Sequence, residues 1–296
     1  MRWDRGRGRS RNIEDRRGAR AGGFGGLGGL GGMLPMGRAG GVGSIVILLL
    51  ITFLGRGCLS GGGESSSGFD IGEILGQFQT GPGATGESPI DEATDPEADQ
   101  VEFVSFVLDD VQGFWDGYFA DAGEDYQEAE LVLFREGVQT GGCGSASSAS
   151  GPFYCPADQK AYIDLSFFRE LTNRFGAPGD FAQAYVLAHE IGHHVQNLLD
   201  IDPERTNEGS VRLELQADCF AGVWAHSAFQ RDLLSDGDIR EGLEAAAAVG
   251  DDRLGIDDEE NFTHGSADQR TRWLTVGYDS GSVQECDTFE VDESDL

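Results

Sequence analysis

The chain has 296 residues, enough for one good-sized domain with appendages, but 46 glycines and 39% hydrophobic content leave part of that length with no core to join. Its net charge of −31 is unevenly spread: residues 57–296 hold 11 basic and 49 acidic residues, a net of −38. A body so acidic repels phosphates, which excludes a nucleic-acid partner for it.

The beginning of the chain is opposite in sign. Residues 1–38 carry nine of the 21 basic residues against three acids, Asp4, Glu14 and Asp15. Gly-Gly-Leu-Gly-Gly-Leu-Gly-Gly fills positions 25–32, and the composition predicts a disordered, basic cytoplasmic segment over residues 1–40. An apolar stretch follows at 41–55, strongest from Ile45 to Leu54, within 17 uncharged residues from Ala39 to Gly55. That length is at the lower limit for a spanning helix, and a single transmembrane anchor is the expectation. A cleaved signal peptide is the alternative, although Gly55-Arg56-Gly57 makes a poor cleavage site. Arginines before the stretch and acids after it predict an N-terminus in the cytoplasm and a body outside. Residues 56–97, rich in Gly, Ser, Pro and acids, read as a flexible linker; 98–290 read as the folded domain and 291–296 as an acidic tail.

Within the domain, apolar residues at helical spacing predict a helix over Val101–Phe119. Glu130–Phe134 and Ala161–Leu165 read as strands, with a loop at Gly141–Gly151 between them and a short helix at Phe167–Phe175 after them. Helices are then expected over Phe181–Leu199, Val211–Phe229, Asp238–Asp251 and Ser266–Val276. A few strands followed by helices make an α+β domain. Four of the five cysteines fall in this domain, outside the cytoplasm on the reading above. Cys143 and Cys155 flank the Gly/Ser loop and are expected to pair; Cys219 and Cys286 would then tie a core helix to the tail, with a buried free thiol at Cys219 as the alternative. Cys58 has no assigned role.

The chemistry concentrates at His189-Glu190-Ile191-Gly192-His193, inside the helix over Phe181–Leu199. Histidines four apart share one helical face, so both imidazoles can reach one zinc ion. Glu190, beside them, can take a proton from a metal-bound water. A catalytic zinc needs a third protein ligand, and Glu214, 21 residues beyond His193 on the next helix, is well placed to supply it. Asp218, one turn further, could accept the other N–H of a ligand imidazole. The bland alternative for this acidic pair is a solvated helix face. Gly192 makes sense where another backbone passes close to the metal face. His194 points about 100° around the helix from His193 and reads as a packing or surface residue; His226 reads as structural. His264, just before a helix with Ser266 as its N-cap, is either a donor to a developing oxyanion or a plain loop histidine. Tyr162–Leu165 could be a sheet edge that receives an extended substrate, with a core strand as the simpler reading. Tyr154 and Asp158 could approach the site through the Cys143–Cys155 loop.

These segments resemble a known family. Met1-Arg-Trp-Asp, Asn12-Ile-Glu-Asp-Arg-Arg17, Gly151-Pro-Phe-Tyr-Cys-Pro-Ala-Asp158 and Tyr162-Ile-Asp-Leu-Ser-Phe-Phe168 are similar to signatures of the bacterial putative neutral zinc metallopeptidases. So are His189 through Gln196, Glu214-Leu-Gln-Ala-Asp-Cys-Phe-Ala-Gly222, His264-Gly-Ser and Cys286-Asp-Thr-Phe289. The resemblance runs nearly the whole length of the chain. It implies a zincin-like fold with a glutamate third ligand: His189, His193 and Glu214 on one Zn2+, and Glu190 as the catalytic acid and base. The chain departs from the family in its acidity and in having only one lysine, Lys160.

The sequence therefore predicts a membrane-anchored, extracytoplasmic zinc metalloendopeptidase acting on a protein or peptide substrate. The rival readings are a zinc-stabilised, non-catalytic envelope binding protein and a zinc hydrolase acting on a cell-wall amide.

Overall fold

The computed structural model describes residues 1–6, 8–18, 90–91, 93–292 and 295–296, and its architecture is mixed α and β. The strands are β1 (Ile13–Asp15), β2 (Glu130–Phe134), β3 (Gly137–Gln139), β4 (Ser145–Ser147), β5 (Phe153–Cys155) and β6 (Lys160–Asp164). The helices are α1 (Ala98–Ala122), α2 (Ser166–Asn173), α3 (Asp180–Leu198), α4 (Asn207–Gln230), α5 (Asp236–Ala248) and α6 (Ala267–Ser280). Every helix expected from periodicity is present, with ends shifted by a few residues. The α+β class holds.

Helix α1 forms because Val104, Val107, Val111, Trp115 and Phe119 recur on one face, which is buried. It stops at Gly123, whose φ of 79° suits a residue without a Cβ and whose N–H closes on the last-turn carbonyls. The sheet runs in the order β1-β2-β6-β5, parallel from β1 to β6, with β5 antiparallel on β6. Residues Leu131–Phe134 of β2 are buried on both faces, so they read as one unbroken apolar run. Strand β6 lies inside the sheet, so Tyr162 belongs to a core strand and the outer edge beside it is β5. The region expected to be a plain loop at 141–151 contains β4, paired antiparallel with β3. Its Gly- and Ser-rich residues have no apolar alternation that would announce a strand.

Helices α4 and α6 cross closely through reciprocal glycines. A Cβ on Gly222 would overlap the Leu274 carbonyl, and one on Gly277 would overlap the Cys219 carbonyl. At the other side of α4, a Cβ on Gly192 of α3 would sit 3.0 Å from the Ala217 carbonyl. Helix α4 is thus clasped between α3 and α6 at backbone distance, as the glycine in the motif led us to expect.

The start of the chain requires a correction. Residues 1–18, read as part of a disordered cytoplasmic segment, are folded onto the body, apart from position 7, which is not described. Strand β1 pairs in register with β2, Ile13 opposite Leu131 and Asp15 opposite Leu133. The Leu131 amide donates to the Asn12 carbonyl at 2.8 Å and the Arg16 amide to the Leu133 carbonyl at 2.7 Å. The Trp3 ring meets Phe103 of α1 edge-on at 5.4 Å. Arg17 is 5% exposed and gathers Asp15, Asp95 and Glu97 at 2.7, 2.6 and 2.9 Å. Composition concealed this because the apolar content of the segment is small and its docking is carried by arginines that meet acids of the body. Strand β1 is thus a strand of the body's sheet, and these first residues pack with the body rather than standing apart from it as a disordered segment. The end of the 56–97 segment is likewise fixed, through Asp95 and Glu97. The 291–296 tail is not merely acidic solvent-facing chain: Leu296 is buried, and the Val291 carbonyl accepts from Arg212 at 2.9 Å. The apolar stretch at 41–55 and Cys58 lie outside the described residues, among which no helix is long and apolar enough to cross a membrane.

Two outcomes follow. Gly277→Ala should lower stability by about 1–3 kcal/mol through overpacking at a helix crossing, read as a lower urea midpoint with an unchanged slope. Docking of β1 should weaken on acidification. Hydrogen bonding to Arg16, with Lys160 assisting against burial, lowers the Glu14 pKa from 4.5 to about 2. Its contribution is therefore complete above pH 4.5 and is lost as pH falls toward 2. Amide exchange at Leu131 and Arg16, corrected for intrinsic rate, should lose protection across that interval.

Candidate metal centre and active site

Helix α3 carries His189 and His193 one turn apart, and the close passage of α4 brings Glu214 beneath both. One donor atom from each of the three lies within 4.8 Å of the others, a spacing that a single metal ion can bridge. The His189 Nε2 is 3.1 Å from one Glu214 oxygen and the His193 Nε2 is 3.4 Å from the other. Among the described residues this is the one such group of histidine, cysteine or acid side chains.

Both imidazoles are turned so that Nε2 faces Glu214. The His189 Nδ1 lies 2.8 Å from Asp218 Oδ1, and an ionised carboxylate can only accept, so Nδ1 carries the proton. The His193 Nδ1 lies 2.8 Å from Gln196 Oε1. The Gln196 amide is itself fixed, its Nε2 donating to the Leu213 carbonyl at 2.7 Å and to Gln216 Oε1 at 3.1 Å. Each candidate-ligand ring is therefore oriented by a partner on its far nitrogen, an arrangement that suits a metal site. Nothing in our reading of the sequence assigned Gln196 a role, although its position three residues after His193 places it one turn along the same face.

Asp218 is fully buried and does more than hold one ring. Its Oδ1 also accepts from Tyr185 Oη at 2.6 Å, and Arg270 of α6 grips it with Nε on Oδ2 at 2.8 Å and Nη2 on Oδ1 at 3.0 Å. Burial resists the charge on Asp218, but Arg270 and His189 outweigh it and hold the carboxyl below its ordinary range. Burial likewise opposes protonation of His189, yet Asp218 and Glu214 raise its pKa to about 10 in the metal-free site. Glu214 is held well below the usual carboxylate range: His193 and His189 overcome its burial. A cluster so biased toward retaining positive charge between its carboxylates suits a cation, and the donor set of two imidazoles and one carboxylate fits zinc.

Glu190 is 7% exposed, and its Oε2 has no hydrogen-bond partner. Burial raises its pKa, with His189 and His193 pulling the other way. His264 precedes α6, where Ser266 caps the helix by accepting from the Gln269 amide. Its Nδ1 lies 3.1 Å from Asp251 Oδ1, while Asp251 Oδ2 accepts the backbone N–H of Thr263, His264 and Gly265 at 2.7, 2.7 and 3.2 Å. Burial works against a charge on His264, but Asp251 and Glu214 raise its pKa. The Nε2 is left as the ring's working edge. Asp251, which the sequence reading put at the end of a helix, is instead a buried loop residue that shapes this corner.

The remaining candidates fall outside the centre. The His194 Nε2 donates to the Gln127 carbonyl at 2.5 Å, and its Nδ1 accepts from Tyr154 Oη at 3.0 Å, so it pins β5 against the far side of α3. Asp158 accepts from Tyr162 Oη at 2.6 Å and from the Gly141 amide at 2.5 Å, which braces the loop closed by Cys143–Cys155. His226 donates from Nδ1 to the Tyr278 carbonyl at 2.6 Å and is structural. The second disulfide, Cys219–Cys286, follows immediately after Asp218 and fixes α4 to the C-terminal segment.

Asp218→Asn should weaken zinc binding about 10–100-fold, since the amide cannot accept from His189, Tyr185 and Arg270 as a carboxylate does. Arg270→Met should cost about 3–5 kcal/mol of stability by stranding the buried Asp218 charge. Chelator competition checks the first and chemical denaturation the second; unchanged zinc affinity in Asp218→Asn would remove its assigned role.

The profile of the putative neutral zinc metallopeptidase family matches residues 1–289, so it includes the docked N-terminal strand as well as the site. The chain is 42% identical over 306 aligned residues to the uncharacterized protein YpfJ of Escherichia coli K12, covering 98% of this chain and 99% of that one. It is 49% identical over 187 residues to the uncharacterized protein Rv2575 of Mycobacterium tuberculosis, covering 55% of this chain and 63% of the other. No solved structure matches. With a profile spanning nearly its whole length and a relative matched end to end, the chain belongs to the putative neutral zinc metallopeptidase family.

Proposed function

We propose that the protein is a zinc endopeptidase of zincin-like fold that cleaves peptide bonds outside the cytoplasm. The observation that carries this reading is the convergence of His189, His193 and Glu214 beside a buried glutamate whose Oε2 has no partner of its own. Zinc held there supplies a Lewis acid that polarises a scissile carbonyl and acidifies water. Glu190 Oε2 takes a proton from the attacking water and delivers it to the departing amide nitrogen. Its raised pKa suits both halves of that task. Asp251 presents His264 so that Nε2–H of the imidazolium donates to the developing oxyanion. Asp218 and Gln196 keep the two ligand rings from rotating.

The two disulfides favour an oxidising compartment for the body, and with it for the docked first residues. Attachment to a membrane through the apolar stretch at 41–55 remains part of the proposal. The acidic surface favours basic or neutral substrates through steering, an effect that salt screens.

Three variants of the full chain separate the roles. Glu190→Gln should bind zinc normally and lose hydrolysis of a peptide library. His264→Gln should keep zinc and lower kcat about 10²–10³-fold. His189→Ala should lose the zinc itself, read by atomic absorption. Chelator-sensitive cleavage of peptides by the wild type is the expected result. Cleavage confined to cell-wall fragments would reassign the substrate, and no turnover of either would leave a binding protein.

A further inference from the structure

A buried hydrogen-bond chain runs from His193 to the C-terminal disulfide, and its direction is set at the disulfide end. Gln196 and Gln216 are 2% and 6% exposed, so water does not stand in for their partners. A backbone carbonyl can only accept, so the Cys286 carbonyl, 3.0 Å from Gln216 Nε2, decides which end of that amide it meets. Gln216 Oε1 is thereby turned toward Gln196, where it accepts from Nε2 at 3.1 Å. The Leu213 carbonyl accepts from the same Nε2 at 2.7 Å. With both amide protons engaged, Gln196 has only its oxygen to offer His193, and Oε1 lies 2.8 Å from Nδ1. The imidazole then carries its proton on Nδ1, which leaves the Nε2 lone pair for a metal.

The carbonyl at the head of this chain is held in place by the Cys219–Cys286 bridge, which is buried at both ends. Arg212, Gln216 and Cys219 are spaced four and three apart on α4 and form one stripe of the helix. All three meet the C-terminal segment. Thr288 Oγ1 donates to the Arg212 carbonyl at 2.7 Å, and Arg212 Nη1 donates to the Val291 carbonyl at 2.9 Å. Glu214 and Asp218 form a second stripe, which meets the histidines of α3. A disulfide expected only to staple the tail therefore stands at the end of a polarised path into the metal centre.

We propose that Gln216 is a positioning residue for His193, and that the Cys219–Cys286 bridge, by fixing the carbonyl to which Gln216 donates, sets the tautomer in which His193 binds zinc. Breaking either end lets the Gln196 amide turn over. A turned amide presents N–H to Nδ1, and the ring proton then moves to Nε2 and blocks the atom that faces the metal. This role rests on zinc at His189, His193 and Glu214, and it holds whatever reaction the bound zinc serves.

Two variants of the full chain test it, Gln216→Met and the double change Cys219→Ser with Cys286→Ser. In chelator competition each should raise the zinc dissociation constant about 10-fold. Proton NMR of the zinc-loaded wild type should show two hydrogen-bonded imidazole N–H resonances, from His189 against Asp218 and from His193 against Gln196. In both variants the His193 resonance should exchange faster with solvent while the His189 resonance stays as it was. Unchanged zinc affinity with an unchanged His193 resonance would overturn the assignment. An equal effect on both resonances would make the role merely structural and overturn it as well. The wild type supplies a measurement that needs no variant to fold: the strongest Overhauser contacts of the Gln196 amide protons should be with α4 rather than with the His193 ring. The reverse order would show the amide turned over and sink the relay.

Discussion

The buried carboxylate of Asp218 is the interaction on which the rest of the structure depends. An isolated charge at that depth would cost several kcal/mol, and it persists because three elements converge to satisfy it. Helix α3 contributes Tyr185 and His189, α4 carries the aspartate, and α6 sends in the Arg270 fork. The same contacts that stabilise the charge orient the first candidate ligand. Arg270 also lies 4.0 Å from Glu214, so one cation faces both carboxylates of α4. This arrangement explains how two acids one turn apart coexist in the interior.

Such convergence requires the three helices to approach more closely than side chains ordinarily allow. Gly192, Gly222 and Gly277 remove the Cβ atoms that would hold them apart. Glycine lowers the intrinsic helicity of each helix by about 1 kcal/mol. That cost is offset by the buried polar network the approach permits. The Cys219–Cys286 bridge lies on the residue after Asp218, and Gln216 donates to the Cys286 carbonyl at 3.0 Å, so the C-terminal segment is stitched to the face of α4 next to the ligands. Cross-links placed there restrict the motion of the helix that carries Glu214, the third candidate ligand.

What the sequence disclosed was governed by distance along the chain. His189, Glu190 and His193 share a helical turn, and Glu214 and Asp218 share another, so periodicity alone aligned them. The helices around them were legible for the same reason. Arg270 and Asp251 were not, because their partners are 52 and 13 residues away and no periodic pattern links a loop aspartate to a histidine beyond it. Gln196 had the right spacing but no distinctive chemistry until Leu213 fixed its amide. The β3–β4 hairpin was hidden by its polar residues. The largest misreading, the first eighteen residues, came from judging a segment by its own composition when its stability is supplied by acids elsewhere.

That misreading bears on how charge works in this chain. A body of net −38 repels itself, and the basic opening residues add counter-charge to it. Salt screens the exposed members of this set, such as Arg11 with Glu128, over a Debye length of about 8 Å at physiological ionic strength. Arg17, enclosed with its carboxylates, is screened far less. Docking of the strand therefore has a salt-tolerant centre inside a salt-sensitive rim. Apolar contact at Trp3 and the ladder with β2 add terms that ionic strength does not remove. An acidic protein built this way can change its surface electrostatics with its surroundings while keeping the strand in place, and with it the β2 edge.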